Sequence, residues 1–83
     1  MADLLLEFKK AIGLEGNDYL DKQLSYWLDE SKNYLERAGV SEGVLNSDKS
    51  AGVIIKGAAD LWNDGKLSDY FYERAEQLRG LKE

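Results

Sequence analysis

Apolar side chains recur along this chain at intervals of three and four residues, which is the spacing of one face of an α-helix. Four glycines, Gly13, Gly39, Gly65 and Gly80, each follow one of these periodic stretches. Glycine adopts the left-handed conformation at a helix C-terminus without steric cost. The pattern therefore predicts one all-α domain over residues 1–83, a compact bundle of four helices, with no strand.

The first two predicted helices differ in length. The first runs from about Asp3, its N-cap, to Ile12, with Leu5, Phe8 and Ile12 on one face. The second begins at Asn17 or Asp18 and is the longest, at roughly 30 Å for a rise of 1.5 Å per residue. Its apolar stripe consists of Leu20, Leu24, Trp27, Leu28, Ser31, Tyr34, Leu35 and Ala38.

Residues 40–47 are predicted to form a loop, and Ser47 or Asp48 is expected to cap the third helix. Gly52 and Gly57 make this helix thin, which allows close approach of a neighbour at a cost of about 1 kcal/mol in propensity for each glycine. The residues expected to point inward are Ala51, Ile54, Ile55, Ala58, Leu61 and Trp62.

The fourth helix is predicted to start at Ser68 as N-cap. Leu67 before it and Tyr72 within it have the spacing of a hydrophobic staple. Its apolar line is Phe71, Ala75 and Leu78.

Composition excludes several kinds of chemistry. The chain has no cysteine and no histidine, so it has no disulfide, no thiolate and no imidazole base or ligand. Its net charge is −5 and neither half is a basic arm, so the electrostatic pattern of a phosphate-binding protein is missing. No apolar run approaches the roughly 20 residues of a membrane span. We expect no cofactor, no metal and no membrane association.

Three motifs in the sequence lack the residues or the spacing that their function requires. A calcium loop starting at Asp60 fails because its third and twelfth positions are Trp62 and Phe71, where oxygen ligands are required. Helix-turn-helix binding of DNA fails because the connection from Gly39 to Ser47 is too long for the short turn of that motif. Carboxylate pairs such as Asp29 with Glu30 are typical of a solvated face, so we expect no enzyme activity.

Aromatic residues are abundant, with two Trp and five Tyr among 83 residues. Trp27 and Trp62 lie on apolar stripes and are predicted to be core anchors. Tyr19, Tyr26 and Tyr72 lie off the main stripes and are the better candidates for contact with a partner.

Four short segments occur in a characteristic order. They are Leu6-Glu7-Phe8-Lys9-Lys10-Ala11-Ile12-Gly13-Leu14, the stretch from Asp18-Tyr19-Leu20 to Tyr34-Leu35, Leu61-Trp62-Asn63-Asp64, and Gln77-Leu78-Arg79-Gly80. In these segments the chain resembles the small head–tail connector proteins of tailed bacteriophages, a family grouped by its QLRG motif and linked to DNA packaging. The chain departs from the family pattern after Asn63-Asp64, where Gly65 stands in place of a frequent Arg.

The resemblance implies a structural protein of the virion, made in the bacterial cytoplasm and located at the head–tail junction. Members form a homo-oligomeric ring under the portal protein, dock the tail or a stopper protein, and contact packaged DNA passively without reading its sequence. On this basis the candidate subunit or portal interface is Tyr72, Arg74, Gln77, Leu78 and Arg79.

Arg79 is the residue most expected to act in assembly. Its guanidinium would reach a carboxylate on a neighbouring subunit or on the portal, with Leu78 as the apolar anchor beside it. The alternative for Arg79 is a purely local role, in which a cation complements the negative end of a helix. The alternative for the whole chain is a small helical adaptor or regulator that binds one partner protein.

Overall fold

The computed structural model describes residues 4–81, and within that range every regular element is a helix. The all-α prediction is confirmed, with helices making up 74% of the structure and no strand among the described residues. The helices are α1 (Leu4–Ile12), α2 (Asp21–Arg37), α3 (Glu42–Leu45), α4 (Asp48–Asp64) and α5 (Asp69–Arg79).

The prediction that residues 40–47 form a plain loop is wrong, because they contain the short helix α3. Ser41 caps α3 by accepting a hydrogen bond from the backbone N–H of Val44 at 3.4 Å. Val44 and Leu45 are almost completely buried. The segment is therefore pulled inward by its own apolar side chains, and a helical turn satisfies its backbone groups.

The start of the second helix is also corrected. α2 begins at Asp21, because the preceding residues form turns in which Asn17 N–H donates to the Leu14 carbonyl and Asp21 N–H donates to the Asp18 carbonyl. α2 and α4 each contain 17 residues, so the second helix shares the greatest length with α4. The predicted N-cap Asp3 lies outside the described residues.

Three of the four glycine stops have the predicted geometry. Gly13, Gly39 and Gly65 have φ values of 77°, 100° and 71°, and Gly65 N–H donates to the Leu61 carbonyl at 3.1 Å. Gly80 differs, since its φ of −79° is right-handed. α5 therefore ends without a left-handed residue, and the prediction for Gly80 is wrong.

α4 is the central element, because it contacts each of the other four helices. Its buried face is rotated from the predicted one. The expected inward residues Ala51, Ile55, Leu61 and Trp62 are only half-buried. The residues of α4 that are buried are Ser50, Val53, Ile54, Gly57, Ala58 and Asp60.

The closest approach between helices occurs at Gly57. A Cβ atom added there would overlap the Ser31 hydroxyl of α2 and the Phe71 ring of α5. Ser31 and Phe71 are both completely buried. Three helices therefore meet at one point, and only a residue without a side chain fits there.

The two tryptophans lie at the edge of the core. Trp27 and Trp62 are half-buried and pack against it, whereas the largest fully buried side chains are Phe8 and Phe71. Trp27 is flanked by Tyr26, whose ring stacks on it at a centroid distance of 5.1 Å. The centre of the core is therefore anchored by phenylalanines, and the tryptophans cover its margin.

Gly57→Ala should destabilise the protein, and Gly52→Ala is its matched control on the same helix. The Gly57 variant must displace Ser31 or Phe71, which typically costs about 1–3 kcal/mol. No atom lies within 4 Å of a Cβ placed at Gly52, so Ala there should stabilise the fold by about 0.5–1 kcal/mol. Denaturant unfolding measures both. Equal effects of the two substitutions would show that Gly57 is not at a close contact.

Candidate functional site

α5 carries the five residues predicted to form an interface. The helix starts at the predicted N-cap, since the Ser68 hydroxyl accepts a hydrogen bond from Phe71 N–H at 3.3 Å. Phe71, Ala75 and Leu78 are buried, as their spacing predicted. The buried line fixes which sides of α5 face solvent.

The predicted interface residues divide among three sides of α5. Tyr72 and Arg79 are seven residues apart, which is nearly two turns, so they lie on one flank. Arg74 and Gln77 are one turn apart on another flank, about 140–160° away from Tyr72 and Arg79 at about 100° per residue. Leu78 lies between the flanks on the core side. These five residues therefore cannot form one continuous contact surface.

Leu78 does not have the position expected of an interface anchor. It is only 2% exposed and belongs to the core cluster. Because its side chain contacts the other helices of the same chain, it is not on the surface for a partner to contact. Its role in this conformation is to hold α5 on the core.

The flank of Tyr72 and Arg79 faces the end of α2. The Tyr72 ring lies edge-on to Tyr34 at a centroid distance of 5.5 Å and remains exposed. The Arg79 side chain is 55% exposed and donates to Glu76 at 3.1 Å. Its methylene carbons lie beside Gly39, where an added Cβ would be 3.1 Å from Arg79 Cδ. The arginine stem thus covers the end of α2 while the guanidinium stays in solvent.

The flank of Arg74 and Gln77 borders α4. The Arg74 guanidinium donates to the Gln77 side-chain oxygen, while Arg74 Nε is buried without a hydrogen-bond partner. A shallow groove separates this flank from α4. We call it the basic groove; its lining residues are Asp48, Lys49, Gly52, Val53, Lys56, Tyr70 and Arg74.

The buried carboxylate of Asp60 holds α5 in place. The sequence does not support a calcium-binding role for this residue. Asp60 accepts hydrogen bonds from Lys56 Nζ at 2.8 Å, from the Ser68 hydroxyl at 2.7 Å and from Ser68 N–H at 3.2 Å. Burial alone would raise the pKa of Asp60, but the hydrogen bonds from Lys56 and Ser68 outweigh it and lower that pKa below 3.8. The charged carboxylate therefore ties α4 to the first turn of α5.

A second ionic cluster joins α1 to the start of α2. Lys9 has a side chain only 7% exposed, and its ammonium donates to Asp18 at 3.0 Å and to Asp21 at 2.9 Å. Hydrogen bonding to Asp21 and then to Asp18 raises the pKa of Lys9, and burial opposes this. Both acceptors are more exposed than the lysine, so the cluster fastens the turn before α2.

Part of each cluster had a signal in the sequence. Lys56 and Asp60 have the i, i+4 spacing of a helical ion pair, and Lys9 follows directly after the core residue Phe8. The links to Ser68, Asp18 and Asp21 depend on how the helices pack, and no local spacing predicts them.

Within residues 4–81 no group of three or more metal-ligating side chains occurs. No helix in that range is long and apolar enough to span a membrane. Comparison with protein-family models, with curated proteins and with solved structures yields no match to this chain. A functional assignment therefore depends on the residues of this chain itself.

Asp60→Asn should destabilise the protein at neutral pH by about 1–3 kcal/mol, because the amide places N–H donors against Lys56 or Ser68. The folded-state pKa of Asp60 is lowered, so its contribution to stability is present above pH 3.8 and is lost as pH falls through the folded-state pKa. The Asn variant should thus lose less stability than the parent on acidification. Thermal unfolding across pH measures this, with the exposed Asp64→Asn as control; identical pH profiles for Asp60→Asn and the parent would contradict it.

Proposed function

We propose that this chain is a structural head–tail connector of a tailed bacteriophage or prophage. In this role it forms a ring under the portal protein and docks the tail or a stopper protein. The observation that carries the proposal is the position of Gln77-Leu78-Arg79-Gly80 at the end of α5, in an all-helical chain whose α4 ends with Leu61-Trp62-Asn63-Asp64. We also propose that α1, α2, α4 and α5 form one compact four-helix bundle.

The two exposed flanks of α5 suit a subunit with neighbours on both sides. A ring requires each subunit to present two different surfaces, one to each neighbour. Arg74 with Gln77 supplies part of a surface toward another copy, and Tyr72 with Arg79 supplies a separate surface for the portal or the tail. Arginine and tyrosine are residue types enriched in interfaces, which supports this use of the flanks.

The charge of the chain supports a passive role toward DNA. A net charge of −5 disfavours the release of counterions that drives binding to phosphates. A channel lining must let DNA move, so weak attraction is an advantage there. The proposed location is the head–tail junction of the virion, after synthesis in the host cytoplasm, with no catalytic step and no cofactor.

A second candidate function is a small helical adaptor that binds one partner protein. The exposed Tyr19 and Tyr26, at 80% and 50%, favour it, because large exposed aromatic rings commonly mark contact sites. The neighbouring genes discriminate between the two: portal, protease and major capsid genes upstream support the connector.

Arg79→Ala should impair head–tail joining more than it impairs folding. Loss of a cation near the helix C-terminus costs about 0.3–1 kcal/mol of stability, whereas truncation of an interface arginine commonly costs about 2 kcal/mol or more of association. Arg79→Lys keeps the charge and loses the two-pronged geometry, so it should be intermediate in joining. Thermal unfolding and an in vitro joining assay measure the two effects.

The matched control for this test is Arg37→Ala, an exposed arginine in the last turn of α2. It should lose a similar amount of stability and join tails normally. If Arg79→Ala and Arg79→Lys also join tails as well as the parent, Arg79 has only the local role at the helix end.

The protein should not bind duplex DNA tightly at about 150 mM salt, because its charge is acidic and no helix within residues 4–81 presents a row of base-reading side chains. A mobility-shift titration checks this. Sub-micromolar binding would contradict the passive role, since specific binders lie near 10⁻⁸–10⁻¹¹ M. The variant Lys49→Glu, which removes a cation from the basic groove, should give the same mobility-shift result as the parent.

A further inference from the structure

The basic groove is an exception on an acidic protein. Three of its lining residues are cationic, Lys49, Lys56 and Arg74, against the single acid Asp48. Lys56 is paired with Asp60 but remains 46% exposed, and Lys49 is exposed. The lining residues taken together with Asp60, the ion-pair partner of Lys56, have a net charge of +1 in a chain of net charge −5, so this surface attracts anionic groups.

The outer side of α2 has the opposite character. We call it the acidic face; its residues are Asp21, Lys22, Ser25, Tyr26, Asp29, Glu30 and Asn33. Three acids stand against one lysine, and Asp21 already accepts a hydrogen bond from Lys9. Asp29 and Glu30 remain as carboxylates without an ion-pair partner among the described residues.

The two surfaces also differ in shape. Tyr26 is 50% exposed and its ring is stacked on Trp27 with an interplanar angle of 9°, so its direction is set before any partner arrives. In the basic groove, Gly52 leaves open space, since no atom lies within 4 Å of a Cβ built there. Tyr70, 53% exposed, borders the same groove. An aromatic side chain therefore has a notch to enter beside a second tyrosine.

From this complementarity we propose that the acidic face of one copy docks in the basic groove of a second copy, with Tyr26 entering the notch at Gly52. The occupant is another copy of this chain because the same molecule presents both members of the charge pair. Contact of either surface with itself would place like charges together and is disfavoured. The contact is heterologous, so each added copy leaves one acidic face and one basic groove open for further growth or ring closure.

This contact supplies the subunit interface that the connector role needs, and to that extent it rests on the proposed function. It differs from the site expected from the sequence. Arg74 belongs to the groove, but Tyr72 and Arg79 lie on the other flank of α5 and remain open to the portal or the tail. Self-association and docking thus use separate surfaces.

Charge reversal tests the contact by sedimentation of the purified chain from micromolar to millimolar concentration at low salt. Reversal of the acidic face with Asp29→Lys and Glu30→Lys should weaken self-association by more than about tenfold. Reversal of the groove with Lys49→Glu and Arg74→Glu should do the same. Because Arg74 is half-buried, Lys49→Glu alone repeats the test without disturbing its surroundings.

The deciding variant combines all four reversals in one chain. It has a basic face and an acidic groove, so opposite charges meet again when the face of one copy docks in the groove of another, and association should recover. If either surface paired with itself, like charges would still meet and association would not recover. The matched control is Glu15→Lys with Glu42→Lys, two exposed positions outside both surfaces that change the net charge as much as reversal of the acidic face. This control should associate more tightly than the chain with the reversed acidic face.

A steric test is independent of charge. Gly52→Leu fills the notch at a helix position that tolerates a side chain, so it should keep or raise the melting temperature and weaken association. No concentration dependence in the parent chain, or no recovery in the fourfold variant, overturns the contact. The contact would also be overturned if the chain never self-associates and its basic groove binds an acidic peptide instead.

Head–tail joining is measured separately, so a chain that self-associates but does not join tails refutes the connector role alone.

Discussion

The close contact of Gly57 with Ser31 and Phe71 is the constraint on which the rest of the structure depends. It brings α2, α4 and α5 together at one point, and it works because Gly57 has no side chain. A small domain buries a limited fraction of its surface, so close packing of backbones compensates for a thin core. The Ser31 hydroxyl has no hydrogen-bond partner there, which indicates that its small size matters more than its polarity.

Two ionic clusters fix the start of α5 and the turn before α2, which the close contact at Gly57 does not hold. Asp60 receives three hydrogen bonds from Lys56 and Ser68 and sets the angle at which α5 leaves α4. Lys9 fastens the turn before α2. In each cluster one member is buried and another is exposed, so charged groups reach solvent while their partners stay within the fold. These contacts determine which flanks of α5 face outward.

The orientation of α5 has a direct consequence for function. Its two exposed flanks face different neighbours within the chain, the end of α2 on one side and the basic groove on the other. A subunit of an assembly needs such separate surfaces, because one surface can serve contacts between copies while the other stays available for a different protein. The net charge of the chain is acidic and does not indicate that one surface is basic. The basic groove is found only when the charged residues are located on the structure.

The sequence by itself determined the helical class, the cap at Ser68 and three of the four glycine stops, because these depend on interactions within a few residues. It predicted the cap of α4 at Ser47 or Asp48, and Ser47 is the cap. The tertiary structure decided what depends on distant residues. It rotated α4 so that Gly57 faces Ser31, made a helix of Glu42–Leu45 and buried Leu78. Helical periodicity shows that a residue lies on an apolar stripe, but which part of the stripe is covered depends on the partner helix. For the same reason the predicted interface on α5 divided into two flanks.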